Sequence, residues 1–63
     1  MVLSNYIHES KMAETFIENG IFGCNFYKDN KHIAKELYPS HSEAWAEDCA
    51  ENYVLGVKKI GIQ

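Results

Sequence analysis

The segment 40–55, SHSEAWAEDCAENYVL, constrains the fold more than any other part of the sequence. Ser40 and Glu43 have the spacing of a capping box, in which the serine side chain bonds forward to a backbone N–H and the glutamate bonds back. Projection at 100° per residue gives an apolar face and an acidic face. The apolar face comprises Trp45, Ala46, Cys49, Ala50, Tyr53, Val57 and Ile60, and the opposite face carries Glu43, Glu47, Glu51 and Lys58. The segment therefore predicts an amphipathic helix that begins at Ser40.

Two further helices are expected before it. Residues 4–19 place apolar side chains at helical spacing after a possible Ser4 N-cap, and Asn19-Gly20 is typical of a helix C-terminus. Residues 31–38 form a short second helix that ends at Pro39, because the residue before a proline avoids the helical region. Segment 21–30 is then an apolar loop. The predicted fold is a single all-α domain over 1–63, a bundle of two to three helices with a helix-turn-helix-like hairpin.

An α+β fold is the alternative. Ile21, Phe22, Phe26 and Tyr27 favour a strand. Because one strand cannot stand alone, it needs a partner, and the tail over 57–62 shows a weak alternation. The alternative is a short two-stranded element from 21–27 and 57–62.

The size of the chain favours self-association. A domain of 63 residues buries only about 60% of the surface of its unfolded chain, so its core is marginal. The composition is nevertheless 46% hydrophobic and 13% aromatic, which is too apolar for a disordered chain. We therefore expect a homodimer in which a second copy covers part of the apolar surface.

The charge pattern argues against nucleic acid. The net charge is −3 and the sequence contains no arginine, the side chain most used for bidentate contacts with phosphate and guanine. The acidic face of the C-terminal helix would oppose a phosphate backbone. The alternative hypothesis is a nucleic-acid-binding transcriptional regulator that uses Lys28, Lys31 and Lys35 on the second helix.

Metal binding and catalysis are not favoured by the spacing of the candidate residues. Cys24 and His32 are eight residues apart, as are His41 and Cys49, whereas zinc sites usually contain closer pairs. A zinc-stabilised interaction module is kept as an alternative. Nucleophilic catalysis needs an orienting group and a pocket, and a chain this short has little room for one. We predict no enzyme activity and no cofactor.

Protein binding is the remaining prediction. Trp and Tyr are common anchors at interfaces, which selects Trp45 and Tyr53, and Leu55 falls on the polar side of the helix. The alternative is that the side chains of Trp45 and Tyr53 fill the core. The interaction residues predicted are Trp45, Tyr53, Leu55, Glu43, Glu47 and Glu51. The sequence shows no signal peptide and no apolar run of the ~20 residues that span a bilayer. A cytoplasmic protein with free thiols is expected.

The N-terminal stretch MVLSNYIHESKMAE and the block YPSHSEAWAEDCAENYVLGV resemble the small early proteins of the exo–xis region of bacteriophage lambda and its relatives. The resemblance extends over essentially the whole chain and includes no catalytic motif. It implies a dispensable early phage protein in the host cytoplasm that promotes lytic development by binding host or phage proteins. It also implies an all-helical, self-associating protein.

Overall fold

A computed structural model of the chain describes residues 1–60 and shows a four-stranded antiparallel sheet followed by one helix. The strands pair in sequence order, so the sheet is a simple meander. They are β1 (Val2–His8), β2 (Lys11–Glu18), β3 (Ile21–Lys28) and β4 (Lys31–Tyr38). The helix, α1 (Glu43–Val54), packs on one face of this sheet and contacts β1, β2 and β3.

Two-residue turns join the four strands. Asn19 and Gly20 have φ of 53° and 78°, and Asp29 and Asn30 have φ of 52° and 66°. Positive φ at both central residues is what a type I′ turn requires, and this turn matches the right-handed twist of the strands it joins. Glu9 in the first turn also has a positive φ, of 56°. The turns fix the register of each hairpin.

The structure overturns the all-α prediction. The helix predicted over 4–19 is wrong, because this segment forms most of β1 and all of β2, and the helix predicted over 31–38 is β4. The helix-turn-helix-like hairpin is therefore wrong too. The physical reason lies in the turns: Asn19-Gly20 closes a β-hairpin instead of ending a helix, and a hairpin forces both flanking segments into strands.

The two-stranded alternative is wrong in its pairing. The strand tendency of 21–27 is real, since this segment lies in β3, but β3 pairs with β2 and β4. Residues 57–60 form no strand, and positions 61 and 62 of the proposed partner lie outside the described residues.

The C-terminal helix is present but shorter than predicted. Its N-cap is Ser42, whose side chain accepts a hydrogen bond from the Trp45 N–H, so the Ser40 capping box is not formed. At the other end, Gly56 adopts φ +86°. The Val57 N–H donates to Asn52 O and the Gly56 N–H donates to Tyr53 O. This is the Schellman pattern that ends helices at a glycine.

The core lies between α1 and the sheet. Ala46 and Ala50 are fully buried and small, which allows the helix to approach the strands closely. Tyr53 packs edge-on against Phe26 with ring centroids 4.9 Å apart, and its hydroxyl donates to the Tyr27 carbonyl at 3.0 Å. The core thus includes polar contacts that fix the position of the helix.

Candidate protein-interaction surface

Glu47 links α1 to the first two strands. Its carboxylate accepts hydrogen bonds from Ser4 Oγ and Thr15 Oγ1, each at 3.0 Å, and from the Tyr6 hydroxyl. Thr15 is fully buried, so its hydroxyl depends on this partner. Because hydrogen bonds to a charged acceptor are the stronger kind, Glu47 holds the helix at one position and one rotation on the sheet.

The hydrogen bonds decide the ionisation of this cluster. Burial alone would raise the pKa of Glu47, but the bonds from Tyr6, Thr15 and Ser4 outweigh it and lower the pKa from 4.5. The bond to the Glu47 carboxylate, with burial and the charges of Glu47, Glu51 and Asp48, raises the pKa of Tyr6 to about 12. At neutral pH the cluster is therefore an ionised carboxylate held by neutral hydroxyl donors.

The position of Glu47 gives α1 an acidic flank beside β1. Residues four apart on a helix lie one above the other, so Glu43 and Glu51 lie one turn before and one turn after Glu47. Both are exposed, and Asp48 on the outer side of the helix is exposed as well. We call Glu43, Glu47 and Glu51 the acidic flank. Since Glu47 is bonded to the sheet, the two exposed carboxylates are the ones available to a partner.

Trp45 lies on the other flank of α1 and is 48% exposed. Its ring stacks on His41, with centroids 4.2 Å apart and an interplanar angle of 13°. It also lines a shallow groove of about 350 Å³ with Asp48, Cys49, Asn52 and Lys58. Stacking limits the motion of the indole ring, so the tryptophan is an ordered, half-exposed aromatic surface of the kind that anchors interfaces.

The predicted interaction residues therefore separate into exposed and buried sets. Trp45, Leu55, Glu43 and Glu51 are exposed. Tyr53 is fully buried, and Glu47 is engaged with the strands. The helical projection placed Trp45 on the core side and Glu47 on the solvent side, whereas the sheet actually meets the stripe centred on Ala46, Ala50, Tyr53 and Val54.

Ser4, Tyr6 and Thr15 were not predicted to matter for the site. They are neighbours of Glu47 only because β1 and β2 pair beneath α1. The sequence signal that could have identified them is their spacing: Ser4 and Tyr6, like Ala13 and Thr15, are two residues apart and so lie on the same face of a strand.

The zinc alternative is not supported by the positions of its candidate ligands. Cys24 faces the helix, where its thiol donates to the Ala46 carbonyl at 3.2 Å, and burial raises its pKa to about 11. His32 lies on the opposite face of the sheet, within 3.0 Å of Asn25 Oδ1. Within residues 1–60, no three His, Cys, Asp or Glu side chains form a group that could hold a metal ion.

The lysines proposed for nucleic-acid binding do not form one patch. They belong to β3 and β4 instead of a helix. Lys28 and Lys31 face each other across the β3–β4 turn. Lys35 projects from the other face of the sheet, where its Nζ pairs with Glu18 at 3.0 Å. These three lysines therefore do not form the single row of positive charge along one side of a helix that the nucleic-acid hypothesis assumed.

The face of the sheet away from α1 has no covering element among the described residues; we call it the open face. Phe16 is buried there, since its ring lies over Gly23: a Cβ at Gly23 would come within 2.7 Å of that ring. Glu14 accepts hydrogen bonds from Asn25 Nδ2 and the Tyr27 hydroxyl. Val2, Ile7 and Leu37 are at least 48% exposed. The open face is thus partly apolar and partly an ordered polar network.

Comparison with protein-family models, with curated proteins and with solved structures found no match for this chain. The interaction surfaces are therefore defined by geometry alone. Over residues 1–60, no helix has the length and apolar character needed to cross a membrane.

Proposed function

We propose that this chain is a non-enzymatic protein-binding module that contacts a partner of basic character through the outer surface of α1. The observation that carries the proposal is the combination of an ordered, half-exposed Trp45 with the exposed carboxylates of Glu43, Asp48 and Glu51 on one short helix. An aromatic anchor together with charged groups on the same surface is typical of interfaces, where charge sets specificity and on-rate.

The groups whose pKa values are shifted support binding over catalysis. Glu47 and Tyr6 are used to fasten the helix to the sheet. Tyr38, whose pKa is raised by burial and by its bond to Glu36, is also a core residue. Perturbed pKa values often mark catalytic sites, but here the contacts that produce them are those that hold the fold together.

The biological setting that we propose is an early accessory protein of a lambdoid phage. Such a protein would act in the host cytoplasm, bind a host or phage protein and favour lytic development. This part of the proposal is supported by the sequence resemblance alone, and the helical fold that the resemblance implied is overturned by the β-sheet.

We also propose that the chain associates with itself through the open face. Val2, Ile7 and Leu37 are exposed there, and a second copy is a simple way for so small a domain to cover them. This surface is separate from the outer surface of α1, so a dimer could still bind its partner.

Capture from a bacterial host lysate tests the main proposal when two matched variants are compared. Trp45→Ala removes the proposed anchor, whereas Val57→Ala removes another exposed apolar side chain beyond the end of α1, 72% exposed. We expect one protein to be retained by the wild type and by Val57→Ala, and to be lost with Trp45→Ala and at high salt. Equal capture by all three proteins would contradict the proposal.

A further inference from the structure

We propose that the outer edge of β1 binds an extended, basic segment of the partner protein as an additional strand of the sheet. The inference rests on the proposed function and deepens it by naming the conformation and chemistry of the partner segment. Strand addition to an exposed sheet edge is an established mode of peptide recognition, in which main-chain hydrogen bonds give affinity and side chains give specificity.

The two edges of the sheet differ in their protection. The edge strand β4 contains Lys31, Lys35 and Glu36 and is followed by Pro39, features that proteins use to block edge-to-edge pairing. Its pairing is interrupted in the middle by a bulge at Ile33. Lys58, from the segment after α1, also reaches Glu36 with an N–O distance of 3.3 Å.

The β1 edge lacks most of these features. The strand β1 contains no Lys, Pro or Gly, and its register shift involves only Leu3, between Val2 and Ser4. Ser4–His8 then pairs with β2 without interruption. Five residues of regular strand thus have a neighbour on one side only, among the residues that the structure describes.

The hairpin geometry identifies the free backbone groups. A two-residue turn makes His8 and Lys11 the hydrogen-bonded pair next to the turn. Pairs alternate from there, so the N–H and C=O groups of Asn5 and Ile7 point away from β2. Asn5 and Ile7 are both exposed, so no other element covers these two residues among those that the structure describes.

The acidic flank of α1 selects a basic occupant. Glu47 bonds to Ser4 and Tyr6 of β1, and the charges of Glu51 and Asp48 contribute to the raised pKa of Tyr6. The carboxylates of Glu51 and Asp48 therefore lie near the helix side of β1, and Glu43 lies one helical turn before Glu47. Glu43 and Glu51 are eight residues apart, which is about 12 Å along a helix. Four residues of a strand span about 13 Å, so basic side chains four positions apart on a strand match the spacing of these two carboxylates.

A second copy of this chain is the less suitable occupant. Two β1 strands paired around a twofold axis would place both helices on the same side of the joined sheet. The acidic flanks would then face each other across the axis, and like charges at close range are unfavourable. A strand with basic residues four positions apart would instead be attracted to the acidic flank, which would repel a second copy.

The test uses a synthetic peptide of seven residues with arginines four apart and β-branched residues between them. A glutamate version of the peptide is the charge control. We expect the arginine peptide to bind at least about tenfold more tightly, with backbone amide shifts in NMR spectra centred on Asn5 and Ile7, and to lose affinity as salt rises.

Matched variants separate backbone pairing from side-chain contact. Ile7→Pro removes one outward N–H, which an edge strand tolerates, and Ile7→Thr keeps it. We expect about tenfold weaker binding for the proline variant than for the threonine variant. Glu43→Gln/Glu51→Gln should weaken binding more than Glu18→Gln/Asp29→Asn, which removes the same charge at the turns. The double variants report on the edge even where the proline variant fails to fold.

The proposal is overturned by no binding, by equal binding of the two peptides, or by amide shifts centred on β3 or β4 instead of β1. A free dimer that Ile7→Pro converts to monomer, but that Ile7→Thr and Leu37→Lys leave as a dimer, would also overturn it, because the edge and not the open face would then be the self-interface. Loss of lysate capture with Trp45→Ala but not with Ile7→Pro would reject strand addition while leaving the proposed protein-binding function intact.

Discussion

At the scale of single residues, Glu47 decides how the helix is seated. Three hydroxyl donors from two strands converge on one carboxylate of α1, and each satisfies a polar group that packing removes from water. Without this acceptor the hydroxyl of Thr15, which is fully buried, would have no partner among the described residues. An unpaired buried hydroxyl costs about 1–3 kcal/mol, so this one contact is a large part of the stability of a small domain.

Replacement of Glu47 should destabilise the protein in a pH-dependent way. We expect Glu47→Gln to lower the free energy of unfolding by about 1–3 kcal/mol at pH 7, because an uncharged amide accepts weaker hydrogen bonds and adds two donors of its own. The measurement is urea denaturation, with Glu43→Gln as the control because Glu43 is exposed.

The pH dependence follows from the lowered pKa of Glu47. The folded state favours the ionised carboxylate, so the stabilisation is complete above the ordinary pKa of 4.5 and is lost as pH falls through the lower folded-state value. The difference between wild type and Glu47→Gln should therefore shrink on acidification. A difference that is constant down to low pH would contradict the assigned ionisation.

At the scale of elements, the two-residue turns determine the fold. Asn-Gly and Asp-Asn dipeptides occur at 19–20 and 29–30, and the strands on either side are eight residues long. An Asn-Gly pair ends helices as readily as it closes hairpins, so it does not distinguish the two by itself. The spacing of the turns does distinguish a hairpin from a helix end. The turns at 19–20 and 29–30 are ten residues apart, which leaves room for one strand of eight residues between them.

The turn at Gly20 provides a direct test of the hairpin. Gly20 has φ +78° and no heavy atom lies within 4 Å of the place that a Cβ would occupy. We expect Gly20→Ala to reduce the free energy of unfolding by about 1 kcal/mol, through backbone conformation alone. Thermal or urea denaturation measures this loss, and unchanged stability would show that residue 20 does not adopt the left-handed conformation.

The C-terminal helix was the part of the fold that the sequence predicted best. Polar and apolar residues of segment 40–55 alternate with a helical period, and a helix is found there. The ends of the helix differ from the prediction, since Ser42 caps its N-terminus and Gly56 ends it. The rotation of the helix could not be predicted from the sequence, because the sheet selects which side of the helix is buried. From the sequence Tyr53 and Trp45 are both candidate anchors, and the structure distinguishes them because Tyr53 is buried against Phe26 whereas Trp45 is half-exposed.

At the scale of the whole molecule, one sheet separates two surfaces of different chemical character. The helix layer carries the exposed acids and Trp45, while the open face carries exposed apolar residues around an ordered polar centre. The sequence suggested self-association from composition, without indicating a surface. The surface depends on which residues of each strand face the helix, and this in turn depends on the register that the turns impose.

Self-association through the open face is testable by sedimentation. We expect a monomer–dimer equilibrium in the micromolar range that Leu37→Lys shifts to monomer, because this side chain is 48% exposed on that face. Val57→Lys is the matched control, since it adds the same charge beyond α1. A wild-type protein that stays a folded monomer at all accessible concentrations would exclude the dimer.

The fluorescence of Trp45, the one tryptophan of the sequence, tests the central claim that the outer surface of α1 is a binding surface held outward by the sheet. In the free protein we predict emission typical of a partly solvated indole and efficient quenching by acrylamide, since the side chain is 48% exposed. Addition of the captured partner should shift the emission to shorter wavelength and protect it from quenching. An indole already shielded in the free protein, or one whose quenching is unchanged in the complex, would contradict the claim.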